Sequence, residues 1–436
     1  MNAATSSSAS SSSAAAPESP IDDLTEFLDA SPSPWLVVDT VAGRLSTAGF
    51  VQLSEDQQWD ALPTRGFVVR GAAVVAWSRG ADVDVASPLR IVGAHTDSPC
   101  LKVKPRPDGG AWGWKQLGVE VYGGALLNSW FDRDLGVAGR VVLQDASFVD
   151  VIVDRAVCRV PQLAIHLDRE VNEKGLQIDK QQHLTPVWGT GQPRLGEFRE
   201  WLADHIDVAA DDVATWDLCL FDRTPAQLLG HDESLLASGR LDNQISCWAA
   251  VDALCRAEQP TGSTAVVALF DHEEVGSEST TGAAGPLLEH VLERMALATG
   301  ATRAEFLGQL AASVCVSSDN AHAVHPNYPE RHESAHAPII NRGPAIKLNN
   351  NQRYATSAAS AAMLQRVFSD AGIPWQTFVS RNNMPCGSTI GPITATRLGI
   401  ETVDVGVPQL SMHSARELCG VLDPPALSTG LAHFFR

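Results

Sequence analysis

Apolar, strand-like stretches of this chain repeatedly run straight into acids and imidazoles: Ala94-His95-Thr96-Asp97, Leu241-Asp242-Asn243, Asp271-His272-Glu273-Glu274, Ser318-Asp319-Asn320 and Met412-His413. A fold that places strand ends side by side would gather these groups where burial is costly, and ionisable groups are seldom buried unless they are paired or hold a metal. In open α/β sheets, ligands collect outside the carboxyl ends of the strands. The chain is therefore expected to be an α/β protein whose sheet edge carries a metal site. Two histidines and three carboxylates form the nitrogen and oxygen ligand set that a borderline divalent ion such as zinc accepts.

Composition excludes several alternatives. With 436 residues and 44% hydrophobic content, the chain can bury a large core. No apolar run reaches the roughly 18 residues of a spanning helix, so no membrane partner is expected and a cytoplasmic location is. A net charge of −19 and the lack of a basic stripe argue against nucleic acid. The eight cysteines form no Cys-x-x-Cys pair, which speaks against a thiolate zinc site. No Gly-Lys-Ser/Thr loop is present to cradle phosphates.

Residues 1–16 are mostly Ser and Ala and read as a disordered tail. Helical spacing covers 21–30 and 34–47, and strands are expected at Phe67–Val69, Ala72–Trp77 and Leu89–Val92. Between 100 and 236 short β-like runs (Val119–Val121, Arg140–Leu143, Val151–Val153, Leu163–Leu167) alternate with Gly, Pro and Asp turns, the texture of an inserted β-rich domain. After Gly239 the α/β rhythm returns. It gives a helix near 244–257, the strand Ala265–Phe270, helices near 286–298 and 303–312, the strand Ser313–Val316, a helix near 355–371, strands at Gln376–Val379 and Glu401–Val405, and a terminal helix. Residues 17–99 and 237–436 would then form one discontinuous α/β domain, a central mixed sheet flanked by helices, that carries every candidate ligand.

Adjacent carboxylates leaving a strand point to opposite sides, so in Glu273-Glu274 one can bind metal while the other handles a proton. Asp97 is placed to accept the free N–H of a ligating His95. Asp242, at the start of a helix, reads as an N-cap or as a bridge between two cations. His332-Glu333-Ser334-Ala335-His336 matches the His-Glu-x-x-His pattern of zinc proteases, but Pro326, Pro329 and Pro338 bar the helix this motif requires. His322 and His325 are candidates for groups that support the site from behind.

As an ordered set, Gly93–Pro99, Arg240–Asn243, Asp271–Ser277, Ser318–Tyr328, Gln352–Thr356 and Met412–Glu417 resemble the aspartyl aminopeptidase family of two-metal exopeptidases. The resemblance implies two divalent ions, most simply zinc, although cobalt or manganese satisfies the same ligands. It implies that Asp242 bridges them, that His95 and Asp319 hold one and Glu274 and His413 the other, that Glu273 is the general base, and that Asp97 orients His95. It further implies that the insert builds contacts in a homo-dodecamer and that His166 enters a neighbouring subunit's site. Lys347 would meet an acidic substrate side chain, and Gly387 and Ser388 would line the substrate side. The expected activity is removal of N-terminal Asp and Glu from peptides. One departure is Asn383, which stands where many relatives have Asp. The alternatives are a related two-metal aminopeptidase or amidase with non-acidic specificity, and a non-catalytic assembly protein on the same fold.

Overall fold

The computed structural model describes residues 19–436, so the expected Ser/Ala tail at 1–16 lies outside the described residues. The largest sheet has nine strands in the spatial order Val51–Gln52, Arg65–Arg70, Ala73–Arg79, Thr264–Phe270, Leu89–His95, Val314–Ser318, Glu401–Gly406, Ala345–Leu348 and Gln376–Val379. Its four central strands, Thr264–Phe270, Leu89–His95, Val314–Ser318 and Glu401–Gly406, are parallel. Their carboxyl ends therefore open on one edge, with Phe270 paired to His95.

Both faces of this sheet are buried, as parallel sheets require. Along the strands alternate residues face opposite cores. Val74, Val92, Val267 and Leu269 pack beneath the helices Leu241–Arg256 and Asp423–Phe434. Val75, Trp77, Ile91, Val266 and Ala268 pack beneath Leu287–Ala298 and Arg303–Ala312. The latter helix starts on a capping box, with Thr302 accepting from the Glu305 N–H and the Glu305 carboxylate accepting from the Thr302 N–H.

A six-stranded antiparallel sheet follows the order Phe148–Cys158, Leu135–Leu143, Val213–Asp222, Cys100–Gly109, Trp114–Tyr122 and Val187–Thr190. The helix Glu197–His205 packs on it through Phe198 and Leu202. Its strands run longer than their apolar runs because glycines at 136 and 139 sit within one of them, and Pro105 and Pro107 occupy a register shift between Val103 and Asp108 in another. Leu163–Leu167, expected as a strand, is instead an exposed turn-containing segment with no ladder partner among the described residues. A third sheet joins Gln227–Leu229 and Leu235–Ser238 to Glu417–Gly420, Pro408–Leu410 and Ala321–His322, and so straddles the expected boundary at 236. Among the described residues no helix is long and apolar enough to cross a membrane.

Candidate metal centre

The carboxyl edge of the large sheet brings His95, Asp242, Glu273, Glu274, Asp319 and His413 together. One candidate ligand atom each from His95, Asp242 and Asp319 lie within 4.8 Å of one another, and so do those of Asp242, Glu274 and His413. Asp242 belongs to both groups. Its Oδ1 is 3.5 Å from His95 Nε2, and its Oδ2 is 3.3 Å from His413 Nε2, which is also 3.3 Å from Glu274 Oε1. Glu273 reaches the same cluster, with Oε2 4.0 Å from His95 Nε2.

The backbone positions these groups by unusual local geometry. Asp242 and Asn243 leave helical φ/ψ, so regular helix begins only after them, and the Asp242 carboxylate is turned to the cluster rather than used as an N-cap. Asn243 donates to the Ser318 carbonyl and Asn320 donates to the Leu241 carbonyl, each at 2.8 Å, which clamps the segments of Asp242 and Asp319 together. Glu417, fully buried, accepts the N–H of Asp242 at 2.9 Å and of His413 at 2.6 Å, so one carboxylate fixes the backbone of two candidate ligands. The Asp97 carboxylate accepts the N–H groups of Glu273 and Glu274 at 3.1 Å each and the Tyr122 hydroxyl at 2.7 Å. His95 Nδ1 faces the Asp97 backbone carbonyl at 3.0 Å and its carboxylate at 3.4 Å, leaving Nε2 free to ligate.

Burial and crowded charge make this cluster a candidate cation site. Among the described residues Asp242 Oδ1 and Glu274 Oε1 are buried and accept no hydrogen bond, an arrangement native structures avoid unless an ion or water satisfies it. Burial pushes the carboxyls of Glu273 up to about 8, Glu274 to about 7 and Asp319 to about 6, reinforced in each by the Asp242 charge and in Glu273 also by Asp319 and Glu274. Burial opposes charging of His413, but Asp242 and Glu274 outweigh it and hold its pKa at about 11. The donor set fits two divalent cations sharing Asp242. Three carboxylates and two imidazoles supply anionic oxygen and neutral nitrogen, and the orphaned oxygens face inward.

The remaining expected residues are dispersed around this centre. Lys347 is buried at 1% exposure. Its Nζ donates to the Asn320 carbonyl at 3.2 Å, lies 3.7 Å from Asp319 Oδ2 and sits 4.9 Å over the Tyr354 ring. A recess of about 280 Å³ is lined by His322, Tyr354, Phe378, Arg381, Gly387 and Met412. His322 packs edge-on against Phe378, and His325, also at the recess, is engaged with Asn327 and His332. Among the described residues neither histidine hydrogen-bonds a candidate ligand. Ser388 is exposed and its hydroxyl reaches the Arg353 carbonyl, and Asn383 is exposed. His332 and His336 lie off any helix, and His336 pairs with Glu333, so the His-Glu-x-x-His motif builds no site. His166 is exposed and outside the cluster. Sequence reading gave no role to Glu417, Tyr122, Asn243 or Asn320, since their work is hydrogen bonding to backbone and carboxylate across long sequence separations.

The model of the aminopeptidase I zinc metalloprotease (M18) family matches residues 27–435. The chain belongs to the M18 family. M18 members similar to it include the protein described as "Probable M18 family aminopeptidase 2" of Streptomyces coelicolor, 52% identical over 95% of this chain and 97% of that one. A chain of the cryo-EM structure of the Ape4 and Nbr1 complex superposes with a TM-score of 0.92 at 36% identity, covering 95% of this chain and 85% of its own. A chain of the S. cerevisiae mApe1 dodecamer gives 0.82 at 27% identity, covering 95% and 96%. This M18 chain is accordingly a zinc-family metalloaminopeptidase, a hydrolase of peptide N-termini.

Proposed function

We propose that the enzyme removes Asp and Glu from peptide N-termini by direct attack of water, with Glu273 as general base and no covalent intermediate. The reading rests above all on Asp242, the carboxylate common to both ligand groups, whose buried Oδ1 faces the His95 imidazole at 3.5 Å but accepts no hydrogen bond among the described residues. His95 and Asp319 would hold one divalent cation and Glu274 and His413 the other, with Asp242 shared. When bound, such a pair acidifies water and polarises the scissile carbonyl. Glu273, held by Asp97 through its own N–H, accepts the proton of the attacking water and returns it to the departing amine.

Lys347 supports acidic selectivity because a buried ammonium left unpaired penalises a neutral side chain. The exposed apolar residues flanking His166, Leu163 at 56%, Ile165 at 47% and Leu167 at 75%, support a segment covered by another subunit, and the dodecamer formed by the yeast relative supports the same assembly here. Eight unpaired thiols suit the reducing cytoplasm.

A second reading is favoured by the Lys347 contacts. An ammonium engaged by Asn320 and Asp319 tunes a metal ligand and need not read the substrate. Hydrolysis of Asp-, Glu-, Ala- and Leu-anilides by wild type and Lys347→Met separates the two. Acidic selectivity predicts that wild type prefers Asp-anilide and that the variant loses this preference by about 100-fold or more. A uniform loss across the panel, with zinc bound more weakly, would transfer Lys347 to the metal centre. His166→Ala is expected to lower kcat while leaving zinc content and assembly unchanged. An unaltered kcat would remove the neighbouring subunit from the chemistry.

A further inference from the structure

We infer that the segment Tyr122–Leu126, which leaves the six-stranded sheet, is a buttress that sets the geometry of both halves of the metal centre within its own subunit, and that Tyr122 is its principal positioning residue. The inserted sheet would then serve catalysis directly, apart from any role in assembly. Calling Glu273 the base comes from the proposed mechanism, but the buttress itself is drawn from contacts that do not depend on that role.

Four contacts carry the inference. The Tyr122 hydroxyl donates to Asp97 Oδ2 at 2.7 Å, and the same carboxylate holds the N–H groups of Glu273 and Glu274 and faces His95. Two residues on, the Gly124 carbonyl meets His413 Nδ1 at 3.1 Å, which leaves Nε2 for the cluster. Leu126 donates its N–H to the His413 carbonyl at 2.8 Å. Between them Gly123, at φ +69°, passes so close that a Cβ there would lie 3.0 Å from Glu274 Cβ. One short stretch of chain thus touches the supports of His95, Glu273, Glu274 and His413.

Two of the turns it braces include sparsely populated backbone. His272, which opens the Glu273-Glu274 turn, and His413 adopt left-handed backbone at φ +62° and +68°, a sparsely populated conformation for a residue with a side chain that persists where neighbours over-determine it. Tyr122 is in turn anchored from its own sheet. Lys102 Nζ lies 4.5 Å over its ring and is fixed by Asp217 at 2.8 Å, and Asp217 also accepts from Trp35 Nε1 of the helix Pro34–Thr47 at 3.2 Å. Burial and the Asp97 charge keep the Tyr122 hydroxyl protonated, so it remains a donor.

Tyr122→Phe removes one hydroxyl and keeps the ring and its packing, and Gly123→Ala presses on Glu274 from the other side. In the zinc-loaded full chain both are expected to lower kcat by about tenfold or more, the range for supporting groups around a metal site, with KM within about twofold, zinc content unchanged and the oligomer intact. Amide hydrogen exchange is expected to quicken in the Asp271–Ser277 segment while the strands of the nine-stranded sheet keep their protection. Wild-type exchange in that segment together with wild-type kcat overturns the inference, as does faster exchange spread evenly over the molecule. Activity lost in step with dissociation of the oligomer also overturns it, because the insert would then act only through assembly. If Glu273 proves not to be the base, Glu273→Gln stays active, and the exchange result stands apart from that failure.

Discussion

Replacing Glu273 by Gln is expected to reduce turnover by about 10²–10⁴-fold, the range for a positioned general base, while zinc measured on the purified protein stays at the wild-type ratio. Gln keeps the size of the side chain, and the backbone N–H that Asp97 holds is untouched, so the Glu273-Glu274 turn has no reason to move. What disappears is the carboxylate that would accept a proton. The measurement is informative because Glu273 also lies within 4.8 Å of both His95 and Glu274 ligand atoms, close enough to bind metal itself. A variant that loses zinc along with activity would make Glu273 a ligand and leave the chemistry without its base. The metal-free protein offers an independent check with a defined sign. A carboxyl raised from 4.5 to about 8 by burial favours the unfolded chain increasingly as pH rises through that window, since the unfolded state ionises first. Stripped Glu273→Gln should therefore melt at the same temperature as stripped wild type near pH 4 and at a higher one at pH 8.

The sequence made the ligand-bearing edge legible because burial and alternation leave strong local signatures. Leu89–His95 and Thr264–Phe270 are buried almost throughout, so their apolar runs and the polar residues that end them stand out without any knowledge of neighbours. The expected six groups do converge, and the expected failure of His332-Glu333-Ser334-Ala335-His336 follows from its prolines. The six-stranded sheet is less legible. Glycines and prolines broke its strands into fragments, and Leu163–Leu167 alternates like a strand while lying exposed, since alternation records only which side chains are apolar and not what covers them. The supporting contacts were invisible for a different reason. Asp97 and Glu417 hold backbone N–H groups, and any residue type at the donor position supplies one, so nothing in the donor's identity announces the bond. Lys347 shows the same limit. Its type advertises a charge for substrate, but only the fold reveals that Asp319 and Asn320 already face it.

Asp242→Asn is expected to empty the whole centre, whereas losses at unshared positions should not. His413→Ala and Asp319→Asn each remove a ligand from one group of three, so each should retain one of the two proposed ions, about half the zinc that wild type takes up. Asp242 serves both groups through opposite oxygens, Oδ1 toward His95 and Oδ2 toward His413. Asn preserves the volume but replaces one oxygen with an amide nitrogen, which has no lone pair to offer a cation and turns a donor toward an imidazole or a metal. It also deletes the negative charge that would lie between the two proposed cations and balance them. Zinc titration by chelator competition would read the difference, with Asp242→Asn falling below one ion per chain and kcat falling with it. In the stripped protein the same substitution removes a partner that holds the His413 pKa at about 11, so the His413 imidazole should titrate at a lower pH, observable by NMR without any metal present. If Asp242→Asn instead keeps one zinc, as His413→Ala does, the bridge is absent and the two groups of ligands act as independent sites.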